Sequence, residues 1–99
     1  MTWSVVLHPL VLEEDLPRLP KPARRQILDA VERRLGTDPE SYGSPLRKEL
    51  WGFWKMRVGD YRVIYSILEK DILVLIVKIG MRRDREVYAE MIGRLRKLR

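Results

Sequence analysis

The clearest pattern of apolar and polar positions lies in residues 50–88, which read LWGFWKMRVGDYRVIYSILEKDILVLIVKIGMRRDREVY. In residues 53–58 apolar side chains alternate with basic ones, whereas residues 61–68 are almost wholly apolar. Alternation is typical of a strand with one wet face, and an apolar run is typical of a strand near the centre of a sheet. Gly59 and Asp60 alone separate the two runs, and a glycine in the first turn position favours a type II′ hairpin.

The predicted turn fixes the register of the hairpin. It places Arg57 directly opposite Arg62 on one face of the sheet, and Lys55 opposite Ile64. Because like charges across a ladder destabilise it, two opposed arginines flanked by a lysine indicate an anion bound between them, most simply a phosphate. The alternative is that the long side chains extend into water, as surface cations usually do.

A helix is predicted for residues 22–35, because apolar side chains recur there at helical spacing. The apolar stripe consists of Ala23, Ile27, Leu28, Val31 and Leu35. We expect this stripe in the core, and Gly36 is a natural position for the helix to end.

The remaining segments predict further strands and helices on either side of these two features. They are a strand over residues 3–7, a short helix over residues 9–16 with Glu13, Glu14 and Asp15 on its polar side, a loop over residues 37–45, a central strand over residues 71–79, and a C-terminal helix from Val87 to Leu98 with a basic opposite face. The order β-α-α-β-β-β-α predicts an α+β fold, with a twisted, mainly antiparallel sheet and helices on one face. Lys55, Arg57 and Arg62 are then expected on the opposite, concave face, and residues 1–99 in a single domain.

The charge of the chain is unevenly distributed along the sequence. The net charge is +6, but residues 1–46 have a balance of −1 and residues 47–99 have a balance of +7. The basic half contains the hairpin, so we expect a polyanionic partner, and nucleic acid fits best.

Several kinds of site are excluded by composition. The chain has no cysteine and one histidine, His8, so a disulfide, a thiolate metal site and a histidine pair are all ruled out. We expect no metal and no cofactor. The apolar run at residues 72–79 is too short to span a bilayer, and no signal peptide is visible, so we expect a cytoplasmic protein without a membrane partner.

The segment KMRVGDYRVIY at residues 55–65, followed by an apolar strand, IGMRRD at residues 79–84 and Tyr88, resembles the RelE/ParE superfamily of bacterial and archaeal toxins, and its RelE branch in particular. The resemblance implies a compact, microbial RNase-like fold and the toxin of a type II toxin–antitoxin system. It also implies a ribosome-dependent endoribonuclease that cuts mRNA in the A site by attack of a 2′-hydroxyl on the adjacent phosphate, and a cognate antitoxin as partner.

The resemblance also assigns roles to individual residues. Lys55 and Arg57 match the two basic residues of the first hairpin strand, and Arg62 matches the arginine that holds the scissile phosphate. Arg82 matches a cation that stabilises charge or protonates the leaving oxygen, and Tyr88 matches an aromatic that stacks on a base. Additional RNA contacts are expected from Lys48, Arg83 and Arg85.

Several interpretations stay open at this stage. Many relatives have a histidine where this chain has Met81. Arginine does not deprotonate at accessible pH, so Arg57 is a poor general base. Lys55 is the better candidate because neighbouring cations are expected to lower its pKa, unless catalysis is mainly electrostatic. Tyr88 lies on the apolar stripe of its helix and is alternatively a core residue. Two other functions compete with RNA cleavage: inhibition of DNA gyrase, as in ParE-like toxins, and nucleic-acid binding without catalysis.

Overall fold

The computed structural model describes residues 2–81 and 83–98, and a five-stranded sheet runs through its centre. The strands are β1 (Ser4–Leu7), β2 (Ser44–Pro45), β3 (Phe53–Val58), β4 (Tyr61–Leu68) and β5 (Leu73–Gly80). They lie in the order β1-β5-β4-β3-β2, and only β1 and β5 are paired in parallel. The predicted α+β class with a mainly antiparallel sheet is therefore confirmed.

The central hairpin has the predicted bounds and register. Arg57 pairs with Arg62 and Lys55 pairs with Ile64 across β3 and β4. Gly59 has a φ of 59°, and it is the first of the two turn residues, as a type II′ turn requires. The alternation of side chains along β3 therefore predicted correctly which residues share a face.

Two helices pack against this sheet. Helix α1 (Lys21–Ala30) begins near Pro22, which lacks the N–H that the first helical turn does not need, and continues into a π-helical turn at Val31–Leu35. Helix α2 (Asp84–Arg94) continues into a 3₁₀ turn at Leu95–Leu98. No helix within residues 2–81 and 83–98 is long and apolar enough to cross a membrane.

The helices lie on opposite faces of the sheet, so the prediction that they share one face is wrong. A first core joins α1 and its π-helical turn to one sheet face, and a second core joins α2 to the other. The first core includes Ile27, Val31, Met56, Val63 and Ile76. The second core includes Leu50, Ile64, Val77, Val87 and Met91. Strands β4 and β5 carry apolar side chains on both faces of the sheet, and each face is buried by the helix that packs against it.

This arrangement also corrects the predicted position of the basic residues. Lys55 is paired with Ile64, which belongs to the second core, so it lies on the face that α2 covers. Arg57 and Arg62 share that face because alternate residues of a strand point the same way. The three cations therefore lie on the sheet face against which α2 packs, and not on a face free of helices.

Two further segments differ from expectation. Residues 9–16 do not form a regular helix: a π-helical turn at Val11–Asp15 leads into a 3₁₀ turn at Leu16–Arg18. The predicted loop at residues 37–45 ends in β2, a strand too short to show a periodicity of its own.

Asp15 was predicted on the polar side of the first short helix, but it is buried. Strand β1 pairs with β5 only as far as Ile76, so the end of β5 lacks a neighbouring strand on that side. The Asp15 carboxylate accepts a hydrogen bond from the Ile79 N–H at 2.9 Å, and Arg94 donates to the Val77 carbonyl at 3.0 Å. The two side chains thus replace a missing strand, because buried backbone groups need partners.

Candidate active site

The side chains of Lys55, Arg62 and Asp84 form one connected cluster, called here the Asp84 bridge. Lys55 Nζ donates to Asp84 Oδ2 at 2.8 Å, and Arg62 Nε donates to Asp84 Oδ1 at 2.6 Å. The Lys55 and Arg62 side chains are 18% and 12% exposed, whereas the Asp84 side chain is 39% exposed. One carboxylate therefore neutralises part of the charge of two largely covered cations.

Sheet register and a short connection explain why these three residues meet. Arg62 on β4 is paired with Gly80, the last residue of β5. Helix α2 begins only a few residues later, at Asp84, so its first turn lies next to Arg62. An acidic residue in the first turn is also favoured by the positive end of the helix dipole.

The bridge shifts the pKa values of two of its members. The hydrogen bond from Lys55 has the largest effect and lowers the pKa of Asp84. Burial opposes it, but the bond from Arg62 and the charges of both cations keep the pKa below its ordinary value. Burial by itself lowers the pKa of Lys55, but the interactions with Asp84 and Tyr88 outweigh it, and the pKa lies above its ordinary value. The expected lowering of the Lys55 pKa is therefore wrong, because its nearest charged partner is an anion.

Tyr88 lies one helical turn after Asp84, so both side chains stand on the same side of α2. Lys55 Nζ is 5.9 Å from the centroid of the Tyr88 ring, within the range of a cation–π interaction. The ring is half-buried and packs against the second core. Tyr88 thus contacts both the core and the cluster of cations.

A groove of about 320 Å³ adjoins Tyr88 and is called here the Tyr88 groove. It is lined by Pro45, Leu46, Arg47, Lys48, Leu50 and Tyr88. Lys48 is exposed and has a φ of 55°, a left-handed backbone conformation that a lysine rarely adopts. The groove combines an aromatic ring and an apolar floor with two cations at its rim.

Three other predicted site residues that the structure describes are exposed and lie next to this cluster along the chain or across the sheet. Arg57 is exposed and stands opposite Arg62 on the same sheet face, as the register predicted. Arg83 and Arg85 are exposed and flank Asp84 in the chain. Arg82 lies outside the described residues. The structure thus brings Lys55, Arg62 and Tyr88 together and leaves Arg57 beside them.

Asp84 is the site residue that sequence reasoning missed. It stands in the chain between arginines, which suggested only an exposed basic segment. The signal that could have found it is its place as an acidic residue at a helix start, directly after a strand that ends beside Arg62. Among the described residues, no group of three or more histidines, cysteines, aspartates and glutamates is placed to hold a metal ion.

The sequence and the fold match a known class of protein. Residues 5–86 match the family described as the ParE toxin of the type II toxin–antitoxin system, parDE. The chain belongs to this family and is a type II toxin of the RelE/ParE superfamily, as the resemblance of the hairpin implied.

Individual relatives place it near the RelE toxins. The chain is 33% identical over 70 residues to Toxin RelG of Mycobacterium tuberculosis, which covers 71% of this chain and 80% of that protein. It is 32% identical over 41 residues to the mRNA interferase toxin RelE of Escherichia coli, which covers 41% of this chain and 43% of that protein. The crystal structure of the RelBE2 toxin–antitoxin complex of M. tuberculosis superposes with a TM-score of 0.79 at 28% identity, over 83% of this chain and 100% of that chain.

Proposed function

We propose that this toxin is an endoribonuclease that cleaves mRNA in the A site of the ribosome and so inhibits translation. The observation that carries the proposal is the meeting of Lys55, Arg62 and Tyr88 at one place on the α2 face of the sheet. Two cations and an aromatic ring can hold a phosphate and an adjacent base. The name of the E. coli relative, an mRNA interferase, supports the same activity.

The proposed reaction is a transesterification within the RNA. The 2′-oxygen attacks the adjacent phosphorus, the bond from phosphorus to the 5′-oxygen breaks, and a 2′,3′-cyclic phosphate forms. The proton leaves the 2′-hydroxyl for water, and the departing 5′-oxygen takes one from water or from a cation of the site. Negative charge grows on the phosphorane oxygens, and Lys55, Arg57 and Arg62 stabilise it electrostatically. Lys55 acts as an ammonium group and not as a base, because its pKa is raised.

Recognition is proposed to involve the surface next to the cations. A base stacks on Tyr88, which is worth about 1–3 kcal/mol in comparable single-strand complexes. Lys48 at the rim of the Tyr88 groove and the exposed Arg83 and Arg85 contact RNA phosphates. Arg82 is proposed to stabilise the negative charge that develops on the leaving oxygen, because an arginine keeps its proton at accessible pH. No cofactor is needed in this chemistry.

The proposed partners follow from the class of protein. The M. tuberculosis neighbour was solved as a complex of a toxin with its antitoxin, and we propose a cognate antitoxin for this chain as well. The target is the translating ribosome with its mRNA, so the protein acts in the cytoplasm, through one domain that comprises residues 1–99.

Arg62→Ala is the direct test of the activity. The toxin and the variant are added to a reconstituted translation reaction, and cleavage of the translated mRNA is mapped by primer extension. Arg62→Ala should lower the cleavage rate by at least about 100-fold, the usual effect of removing a group that stabilises transition-state charge. Arg33→Ala is the matched control, because Arg33 is an exposed arginine paired with Asp29 on α1. If Arg62→Ala cleaves as fast as this control, Arg62 has no part in catalysis.

A second function is favoured by one observation. The matched family is described by ParE toxins, and inhibition of DNA gyrase is the activity that the ParE-like alternative predicts. A supercoiling assay with purified gyrase distinguishes the two. Inhibition of gyrase without any cleavage of translated mRNA would favour the ParE-like function. If the protein neither inhibits gyrase nor cleaves mRNA, the remaining interpretation is nucleic-acid binding without catalysis.

A further inference from the structure

A carboxylate occupies the place where the proposed function needs a phosphate. Asp84 uses one oxygen to accept from Lys55 and the other to accept from Arg62, at 2.8 and 2.6 Å. These are the two partly covered cations that the proposed reaction assigns to the scissile phosphate. A carboxylate and a phosphodiester both offer two anionic oxygens to such donors, so they compete for the same hydrogen bonds.

Exposure indicates which member of the bridge gives way to an incoming anion. Lys55 and Arg62 are held between the sheet and α2, with 18% and 12% of their side chains exposed. Arg62 also donates to the Tyr61 carbonyl at 3.4 Å, which fixes its position further. Asp84, with 39% of its side chain exposed, has an open path to water. An incoming phosphate can therefore replace the carboxylate while the two cations stay in place.

The negative charge of Asp84 disfavours a phosphodiester that competes with it for Lys55 and Arg62. The bridge combines two positive charges with one negative charge, and the lowered pKa of Asp84 keeps its carboxylate ionised at neutral pH. A phosphodiester that enters beside this carboxylate meets a like charge at short range, and one that displaces it must replace two charge-assisted hydrogen bonds. Either route weakens the binding of free RNA.

We propose that Asp84 is a specificity-determining residue, which excludes freely diffusing single-stranded RNA from the Lys55–Arg62 phosphate site. The inference rests on the proposed function as an RNA-cleaving toxin. An RNA that is already held in position by other contacts has a high effective concentration at the site, and it displaces the carboxylate. RNA in solution lacks that advantage. Asp84 thus restricts cleavage to RNA presented on the ribosome.

The test compares the binding of free RNA by Asp84→Asn and by the unchanged protein. The probe is a short, fluorescently labelled single-stranded RNA with 2′-O-methyl groups at every position, so that it cannot be cut, and binding is measured by anisotropy at constant salt. Asp84→Asn should bind about five- to tenfold more tightly, since it removes one competing charge but keeps the shape of the side chain.

Asp29→Asn is the matched control for this comparison. Asp29 is an exposed carboxylate on α1 that pairs with Arg33 at 2.9 Å, so the control makes the same change in net charge and also removes an ion pair. It should bind the probe within about twofold of the unchanged protein. Asp84→Ser serves as a second variant, because serine is well tolerated at a helix start, and it should also bind more tightly.

The outcomes separate this inference from the proposed function. Tighter binding by both Asp84 variants, with Asp29→Asn unchanged, supports the exclusion of free RNA. Equal or weaker binding by folded Asp84→Asn and Asp84→Ser overturns it, and Asp84 then only positions the cations. If the unchanged protein fails to cut translated mRNA, the proposed function fails. In that case, NMR titration with inorganic phosphate still tests the inference. Its affinity for the unchanged protein, Asp84→Asn and Asp84→Ser shows whether Asp84 competes with anions for Lys55 and Arg62.

Discussion

At the scale of single residues, one carboxylate decides what Lys55 can do. Neighbouring cations alone would lower the pKa of this lysine, and burial acts in the same direction. Asp84, at a distance of 2.8 Å, reverses the balance together with Tyr88, and the pKa of Lys55 is raised. The side chain is therefore a permanent ammonium group in the range of physiological pH.

Substitutions at Lys55 test this electrostatic role. Lys55→Met should slow cleavage by about 100-fold, whereas Lys55→Arg should retain most of the rate because it preserves the charge. Between about pH 6 and 9 the cleavage rates of the unchanged toxin and of Lys55→Arg should depend on pH in the same way. Single-turnover cleavage of ribosome-bound mRNA measures both effects. A rate that rises with pH in the unchanged toxin but not in Lys55→Arg would restore Lys55 as the base.

The Lys55–Asp84 pair should also contribute a stability that depends on pH. The pKa of Asp84 is lowered by folding, so its contribution is complete above about pH 4 and is lost as the pH falls through the lowered value. The pKa of Lys55 is raised, so its contribution is complete below about pH 10 and is lost as the pH rises through the raised value. Urea unfolding should show Asp84→Asn to be less stable by no more than about 1 kcal/mol, because the pair is partly exposed. This difference should be constant between the two limits. A difference that changes near pH 7 would contradict the assignment.

Tyr88 contacts both the core and Lys55, and two substitutions distinguish these roles from base stacking. Tyr88→Phe keeps the ring and should retain most of the cleavage activity, whereas Tyr88→Ala should lose a stacking energy of about 1–3 kcal/mol in addition to core contacts. Thermal unfolding of both variants measures the loss of core packing separately. If folded Tyr88→Phe were as inactive as Tyr88→Ala, the hydroxyl and not the ring would be essential.

At the scale of elements, the hairpin was predictable because its signals are local. Alternation along β3 and a two-residue turn at Gly59 determine which side chains share a face, without reference to the rest of the chain. The side of the sheet on which each helix packs is a tertiary property. The apolar stripes of α1 and α2 show that each helix needs a partner, but not which sheet face provides it.

The candidate site also has a part that local sequence predicted and a part that it did not. The pairing of Arg57 with Arg62 followed from the turn, whereas Asp84 is separated by 29 residues from Lys55 and by 22 from Arg62. Their contact depends on where β5 ends and α2 begins. The same limit applies to Asp15, which was placed on a solvent face by local helical spacing and is buried by its contact with Arg94, 79 residues away.

The buried ion pair of Asp15 and Arg94 gives a prediction for stability. Arg94 holds Asp15 by two hydrogen bonds of 2.8 Å, and these bonds raise the pKa of Arg94. Arg94→Met should lower the free energy of unfolding in urea by about 3–5 kcal/mol, because it leaves a buried carboxylate without its main partner. The exposed Arg33→Met should cost less than about 1 kcal/mol. Similar values for the two variants would mean that the lost arginine is compensated by water or by Lys78, whose Nζ lies 3.5 Å from Asp15 Oδ1.

At the scale of the whole molecule, the uneven charge of the sequence corresponds to particular elements of the fold. Residues 47–99, with a balance of +7, include β3, β4, β5 and α2. The site therefore lies in the basic half of the chain, on the sheet face that α2 covers. Excess positive charge of this kind accelerates the approach of polyanions and of acidic proteins alike.

The same charge leads to the prediction about control of the toxin. No segment of comparable negative charge balances residues 47–99 within the sequence, so masking of these cations requires another molecule. We predict an antitoxin with an acidic, amphipathic segment that covers Arg57, Arg62 and Arg82 or displaces α2, by addition of a strand or by a helix in a groove. Opposite charges accelerate such an association, so its rate constant should fall as salt shortens the screening length from about 10 Å at 0.1 M to about 3 Å at 1 M.

Expression of the chain alone and together with the product of each neighbouring reading frame tests this prediction. Growth should stop when the chain is expressed alone and should recover with the neighbour that encodes the antitoxin, and the two proteins should purify as one complex. Stopped-flow mixing of the separated proteins then gives the association rate at low and high salt. The matched control is Arg33→Ala, which removes one exposed positive charge from the π-helical turn after α1, on the sheet face opposite the site, and should change the rate less than Arg57→Ala. A chain that is harmless alone and purifies without a partner would show that no antitoxin is required, and the charge of the α2 face would then serve RNA alone.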